Sequence, residues 1–106
     1  MRISPNRWNI IQRIIREYPE CKRELERCSE ASIYRDRLIR EINAVELAYS
    51  LFSEAEQAVI SERFWSDQEK NKGYEQMWDT GYSARQMRRI CYRMVCYTGK
   101  ELGEIE

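Results

Sequence analysis

Four arginines lie within a nine-residue stretch, at positions 85, 88, 89 and 93, and no acidic residue interrupts them. Arginine and glutamine near the start of a helix can hydrogen-bond to base edges in the major groove of DNA, while cations beside them contact phosphates. We therefore expect Arg85, Gln86 and Arg89 to read bases, and Arg88 and Arg93 to hold the backbone. The full predicted DNA-binding set, which one half of a helix would present, is Ser83, Arg85, Gln86, Arg88, Arg89, Tyr92 and Arg93.

Apolar residues occupy the other half of the same segment, which runs from Ser83 to Thr98. This pattern predicts an amphipathic helix, and Ser83 with Gln86 is typical of a capping box at its start. A short helix is predicted at Gly73–Asp79, and a tight turn at Asp79–Tyr82, so the unit has the plan of a helix-turn-helix. The aromatic and methionine side chains around the turn are expected to be core rather than a ligand pocket: Tyr74, Met77, Trp78 and Tyr82.

Capping residues and apolar spacing predict four further helices. The first is expected at 4–19, where Pro19 closes it, the second at 20–30 and the third at 32–50. The fourth is expected to begin at a capping box formed by Ser53 and Glu56 and to end at Phe64 or Trp65. Gly99 is expected to stop the last helix, and the acidic tail 100–106 to fray. The predicted fold class is all-α, with an N-terminal helical segment (1–51) followed by a trihelical helix-turn-helix unit (52–99).

Apolar residues of the third predicted helix recur at the spacing of a packed helical seam. The seam is Leu38, Ile42, Val45, Tyr49 and Phe52. It is typical either of an ordinary stripe that faces the core or of a dimer interface. Because a short bundle buries limited apolar area, our hypothesis is a homodimer through the N-terminal half, with two recognition helices reading half-sites about one DNA turn apart.

Composition excludes several classes of function. The 106 residues carry 18 basic and 18 acidic side chains, so DNA binding must come from a local basic surface. Without histidine, a glycine-rich phosphate loop or a GxSxG motif, no enzyme activity and no cofactor are expected. The spacing of Cys21, Cys28, Cys91 and Cys96 fits no zinc motif and predicts small buried side chains. No secretory signal or membrane-spanning run is visible, which predicts a cytoplasmic protein.

Two segments resemble the fourth region of bacterial sigma factors. Phe52–Phe64 is similar to its capped opening helix, and Tyr82–Ile90 is similar to its recognition helix. Within this class the chain resembles the phage transcriptional activators of the RinA type and their ArpU-like relatives, in the segments Glu17-Tyr18-Pro19, Glu56–Trp65, Ser83–Arg93 and Glu101–Glu104. The connection between the N-terminal helices and the trihelical unit is shorter than in those relatives. The resemblance implies a small phage or prophage regulator that binds double-stranded promoter DNA and acts with host RNA polymerase, as an activator of phage genes.

The sequence leaves other interpretations open. A phage DNA-packaging protein of the small-terminase kind also joins a helix-turn-helix to an oligomerising helical segment. A protein-interaction module would instead dock its basic helix on an acidic partner such as RNA polymerase. A basic face can also serve only to solvate a domain. Native mass separates the packaging protein, which should form a large ring, and DNA titration separates the interaction module.

Overall fold

A computed structural model describes residues 4–28, 32–66 and 81–103. Helices account for most of these residues, and no strand occurs among them, so the predicted all-α class is confirmed. The helices are α1 (Pro5–Arg16), α2 (Tyr18–Arg27), α3 (Ile33–Ser50), α4 (Glu54–Trp65) and α5 (Ala84–Glu101). The short helix predicted at 73–79 lies outside the described residues.

Serine side chains cap four of these helices, at the positions where the sequence predicts helix starts. Each hydroxyl oxygen accepts a hydrogen bond from the backbone N–H three residues later, which would otherwise lack a partner in the first turn. In α4 and α5 a glutamate or glutamine side chain also accepts from the capping residue's own N–H, so both predicted capping boxes are confirmed. The capping serines are Ser4, Ser32, Ser53 and Ser83.

The junction of the first two helices differs from the sequence-based expectation. Pro19 does not close the first helix, because α1 already ends at Arg16 and Pro19 lies in the first turn of α2. A proline is tolerated there because the first N–H groups of a helix have no intrahelical acceptor. The second helix also ends earlier than predicted, with Cys28 as its C-cap.

The end of α5 also corrects the prediction. Gly99 does not stop the helix but lies inside it and is buried. The chain leaves the helix after Glu101, and Gly103 supplies the left-handed conformation (φ +75°) while its N–H donates to the carbonyl of Lys100 at 3.0 Å. The prediction that the tail frays is therefore wrong for residues 100–103. Leu102 is only 4% exposed, and its carbonyl accepts a hydrogen bond from Arg40 of α3.

The main core forms around α5, which packs against α1, α3 and α4. The N-terminal helices therefore pack onto the helix that carries the arginines, and the core is continuous across the boundary predicted between 51 and 52. The main core consists of Ile11, Ile15, Val45, Ala48, Phe52, Val59, Ile60, Phe64, Met87, Ile90, Cys91, Met94 and Val95.

The predicted seam on α3 is covered by the chain itself. Val45 and Phe52 belong to the main core, and Tyr49 packs against it. Leu38 and Ile42 form a second cluster with Cys21 of α2. The interpretation of the seam as a core-facing stripe is therefore confirmed, and these residues are not exposed for the dimer that we hypothesised.

Among residues 4–28, 32–66 and 81–103, no helix combines the length and the apolar character that a membrane span requires.

Candidate nucleic-acid interface

The N-terminal half of α5 presents a polar face whose position is fixed by the buried face behind it. Met87, Ile90 and Cys91 are buried in the main core. Because successive residues of a helix are 100° apart, the side chains between these anchors point away from the core. The structure accordingly exposes Ser83, Arg85, Gln86, Arg88 and Arg89, all of which the sequence predicts as contacts. We call this set the α5 basic face.

The charge of the α5 basic face is not balanced by its own helix. Glu101 is the only acidic residue of α5 and lies in its last turn. Arg85 and Arg89 have no ion-pair partner within the residues described. The positive end of the helix dipole adds to their charge at the first turn. This surface can therefore attract an anionic group without first breaking an ion pair between either arginine and the part of the chain that the structure describes.

Gln86 is held by the helix cap, which limits what it can contact. Its Oε1 accepts a hydrogen bond from the Ser83 N–H at 2.9 Å, while the Ser83 hydroxyl oxygen accepts from the Gln86 N–H at 3.2 Å. A bidentate contact with adenine requires both the oxygen and the nitrogen of the amide. Gln86 can thus offer its amide N–H groups outward, whereas a bidentate contact would have to use the second lone pair of Oε1 or open the capping box. The Ser83 hydroxyl still has its own hydrogen to donate.

Arg93 lies in a different environment from the one that the sequence predicts. It is half-buried, its Nη1 donates to Glu56 Oε2 at 3.1 Å, and its guanidinium carbon lies 5.0 Å from the centroid of the Phe52 ring. The Tyr97 hydroxyl, a hydrogen-bond acceptor 3.4 Å from Arg93 Nε, and the Glu56 carboxylate raise the pKa of Arg93. These contacts hold the side chain against α4, so its expected role as a phosphate contact is not what the geometry favours.

Glu56 connects the cap of α4 to α5. Its Oε1 accepts from the backbone N–H of Ser53 at 3.0 Å, and its Oε2 takes the Arg93 hydrogen bond. The hydrogen bond from Ser53, and then the pairing with Arg93, hold the pKa of this carboxyl below its usual value. The sequence indicates the capping box but gives no signal for the second contact, because the two residues are 37 positions apart.

Tyr92 is 48% exposed and contacts an aromatic residue that the sequence analysis did not select. Its ring centroid lies 5.0 Å from that of Trp8, in the first half of α1, in a tilted arrangement. The neighbouring Cys96 side chain raises the pKa of the Tyr92 hydroxyl above its ordinary value. A tyrosine hydroxyl is protonated at neutral pH and can donate a hydrogen bond. Since α1 contains no acidic residue, it brings no negative charge of its own beside the α5 basic face.

The turn that precedes α5 is described only in part. Gly81 has φ +79°, which side chains other than glycine rarely adopt, and this conformation fits the predicted tight turn. Tyr82 packs against the main core, as expected. Of the other residues expected in this core, Tyr74, Met77 and Trp78 lie outside the described residues.

The cysteines are all free thiols, and three of them are buried. Burial is the main cause that raises the pKa of the Cys21 thiol, and nearby glutamates such as Glu41 raise this pKa further. In the part of the chain that the structure describes, no three cysteine, aspartate or glutamate side chains come close enough to hold a metal ion.

Comparisons with known proteins show no relative of this chain. No family model, no curated protein and no solved structure matches the chain significantly, so the resemblance to phage activators stays a prediction.

Proposed function

We propose that this protein is a sequence-specific regulator of transcription that binds double-stranded DNA through the α5 basic face. The observation that carries the proposal is that one side of α5 is anchored in the core while the other exposes several arginines without an acidic residue among them. Reading bases requires rigidly placed donors near the start of a helix. The capping box and the buried anchors supply that rigidity.

Within this proposal, the exposed residues have different roles. Arg85 and Arg89 contact guanine edges, because their side chains are exposed near the start of the helix and have no ion-pair partner among residues 4–28, 32–66 and 81–103. Ser83, Arg88 and Tyr92 contact the backbone, and Gln86 adds an amide donor. Arg93 is not one of the proposed DNA contacts, because it stabilises the contact between α4 and α5.

The charge of the whole chain supports specific rather than diffuse binding. With equal numbers of acidic and basic residues, long-range attraction to DNA is weak. The contacts of a single face must then supply most of the affinity. A regulatory role in a phage or prophage, in the cytoplasm and together with host RNA polymerase, is part of the proposal on the strength of the sequence resemblance.

The decisive experiment is selection of bound sequences from random double-stranded DNA with the purified protein at near-physiological salt. We expect one short motif to be enriched by the wild type and to be lost in the double variant Arg85→Ala/Arg89→Ala. The matched control is Arg23→Ala, which removes an exposed arginine of α2 that pairs with Glu20. If the wild type enriches no motif, the proposal is wrong. If the protein binds an acidic surface of RNA polymerase and not DNA, it is instead a protein-interaction module.

A further inference from the structure

An open cleft of about 330 Å³ lies between α2, α3 and α4, and its walls are aromatic. The Trp65 ring centroid is 5.3 Å from that of Tyr18 and 5.3 Å from that of Tyr49, so the indole lies between the two phenols. Val45, Glu46, Ser50 and Gln57 complete the lining. The lining residues belong to helices other than α5, so binding in this cleft does not depend on DNA binding.

Hydrogen bonds hold these rings in place without any ligand. The Trp65 indole Nε1 donates to the carbonyl of Ile15 at 2.6 Å. Gln57 Nε2 donates to the Tyr49 carbonyl at 3.0 Å, and the Tyr49 hydroxyl donates to the Gln57 carbonyl at 3.4 Å. A ligand would therefore find the aromatic faces already positioned, and binding would not require ordering these side chains.

The electrostatics of the cleft favour a cation. Aromatic faces carry negative partial charge, and Glu46 places a carboxylate at the edge. This carboxylate accepts hydrogen bonds from the Tyr18 hydroxyl at 2.7 Å and from Lys22 Nζ at 3.4 Å. The Lys22 ammonium also lies 5.7 Å from the centroid of the Tyr18 ring. The chain's own lysine thus already shows that a cation is accepted at this edge.

We propose that the cleft binds the guanidinium group of an arginine side chain presented by a partner polypeptide. A planar guanidinium can pack against the aromatic wall of the cleft while its N–H groups reach Glu46, a combination that a compact ammonium makes less well. Lys22 competes with such a ligand for the carboxylate. The cleft is therefore a second recognition site, for a basic peptide, on helices that do not carry the α5 basic face.

The test uses NMR titration of the isotopically labelled protein with Nα-acetyl-arginine methylamide and with the citrulline analogue, its neutral isostere. We expect the indole N–H resonance of Trp65 to shift and saturate with the arginine probe and to respond little to the citrulline probe. An equal response to both probes, or no response to either, would overturn the proposal. Free arginine is the third arm, and a response to free arginine alone would replace the peptide by a small-molecule ligand.

Two pairs of matched variants separate charge recognition from structural damage. Glu46→Gln keeps the shape of the side chain and should weaken binding of the arginine probe at least about fivefold, the size of a partly desolvated cation contact. Glu41→Gln removes the same charge from α3 outside the cleft and should not weaken binding of the arginine probe. Lys22→Met should strengthen binding by removing the competitor, whereas Arg23→Met on the same helix should leave binding unchanged. If Glu46→Gln binds like the wild type in a folded protein, the carboxylate has no role and the proposal is wrong.

Discussion

At the level of single residues, the arginines of α5 fall into two groups that the sequence cannot separate. All of them share one half of the helix and lack acidic neighbours along the chain. In the structure Arg85 and Arg89 are exposed without an ion-pair partner within the described residues, while Arg93 contacts α4. The distinction arises from packing, because the approach of α4 brings the Glu56 carboxylate to Arg93.

The first prediction concerns Arg85 and Arg89. Arg85→Ala or Arg89→Ala should each weaken binding to the selected DNA by about 1–3 kcal/mol and relax the preference at one base pair, as loss of a bidentate contact does. Titration of each variant with the selected duplex and with its point variants measures both effects. Arg23→Ala is the control and should keep the wild-type affinity. If both α5 variants keep the wild-type DNA affinity and base preference, α5 is not the helix that reads the bases.

The second prediction concerns Arg93, whose contacts with α4 favour a structural role over the phosphate contact expected from the sequence. Arg93→Ala should lower the free energy of unfolding by about 1 kcal/mol, because it removes a partly exposed ion pair and a cation–ring contact. It should not change the slope of DNA affinity against salt, whereas loss of a phosphate contact would reduce that slope by about one unit. Urea unfolding and salt-dependent titration measure the two quantities, with Arg89→Ala as the stability control. A reduced slope at wild-type stability would restore Arg93 as a phosphate contact.

At the level of helices, the sequence predicts local features and fails where a contact joins distant elements. The capping boxes at Ser53 and Ser83 are visible because all their partners lie within four residues. The contacts Glu56–Arg93 and Trp8–Tyr92 depend on how helices pack, and neither has a signal in the local pattern. The aromatic cleft was missed for the same reason, since three different helices supply its walls.

The end of α5 gives another example of this limit. Both Gly99 and Gly103 are compatible with a helix stop by residue type alone. Burial of Leu102, together with the hydrogen bond from Arg40 to its carbonyl, favours the longer helix, and both depend on the neighbouring α3. Tertiary packing thus selects between two local signals of similar strength.

The third prediction follows from this helix end. Gly103→Ala should lower the free energy of unfolding by about 1 kcal/mol, because a left-handed conformation is strained for alanine, and Gly103→Asn should cost less. Nothing lies within 4 Å of a Cβ built at this position, so the cost would come from the backbone conformation and not from a clash. Thermal or urea unfolding of the two variants measures it. An alanine variant as stable as the wild type would place the helix end elsewhere.

The fourth prediction uses the lowered pKa of Glu56, which joins α4 to α5. A carboxyl whose pKa is lower in the folded than in the unfolded state stabilises the fold above its unfolded pKa. That contribution is lost as the pH falls through the folded pKa. Glu56→Gln should therefore reduce stability at pH 7, and its difference from the wild type should shrink as the pH is lowered below the usual carboxyl value of 4.5. Urea unfolding at several pH values tests this, with Glu54→Gln in the same helical turn as control. A difference independent of pH would show that charge is not its cause.

At the level of the whole molecule, the covered seam changes the expected mode of DNA reading. Leu38, Ile42, Val45 and Phe52 are buried within one chain, so a second copy cannot use them without unfolding the bundle. α3 exposes Ile33 and Tyr34 at its start and Leu47 near its end, and its C-cap Leu51 is exposed one turn after Leu47. The apolar area of the Leu47–Leu51 pair is far smaller than the roughly 800 Å² that each partner buries in a stable interface. A single copy would read one half-site, and its selected motif should then lack two-fold symmetry.

The last prediction is that the intact chain sediments as a monomer from low to high micromolar concentration. The physical reason is that the apolar area a dimer would need already stabilises the contacts of α3 with α5 and α2. Sedimentation velocity measures the mass, and Leu47→Glu serves as a control because it alters only an exposed position of α3. A concentration-dependent dimer that this substitution dissolves would show that the outer face of α3 pairs two copies, and a symmetric motif should accompany it. Large rings would instead favour the packaging protein, because a ring is the assembly expected of a small terminase and not of a single-site reader.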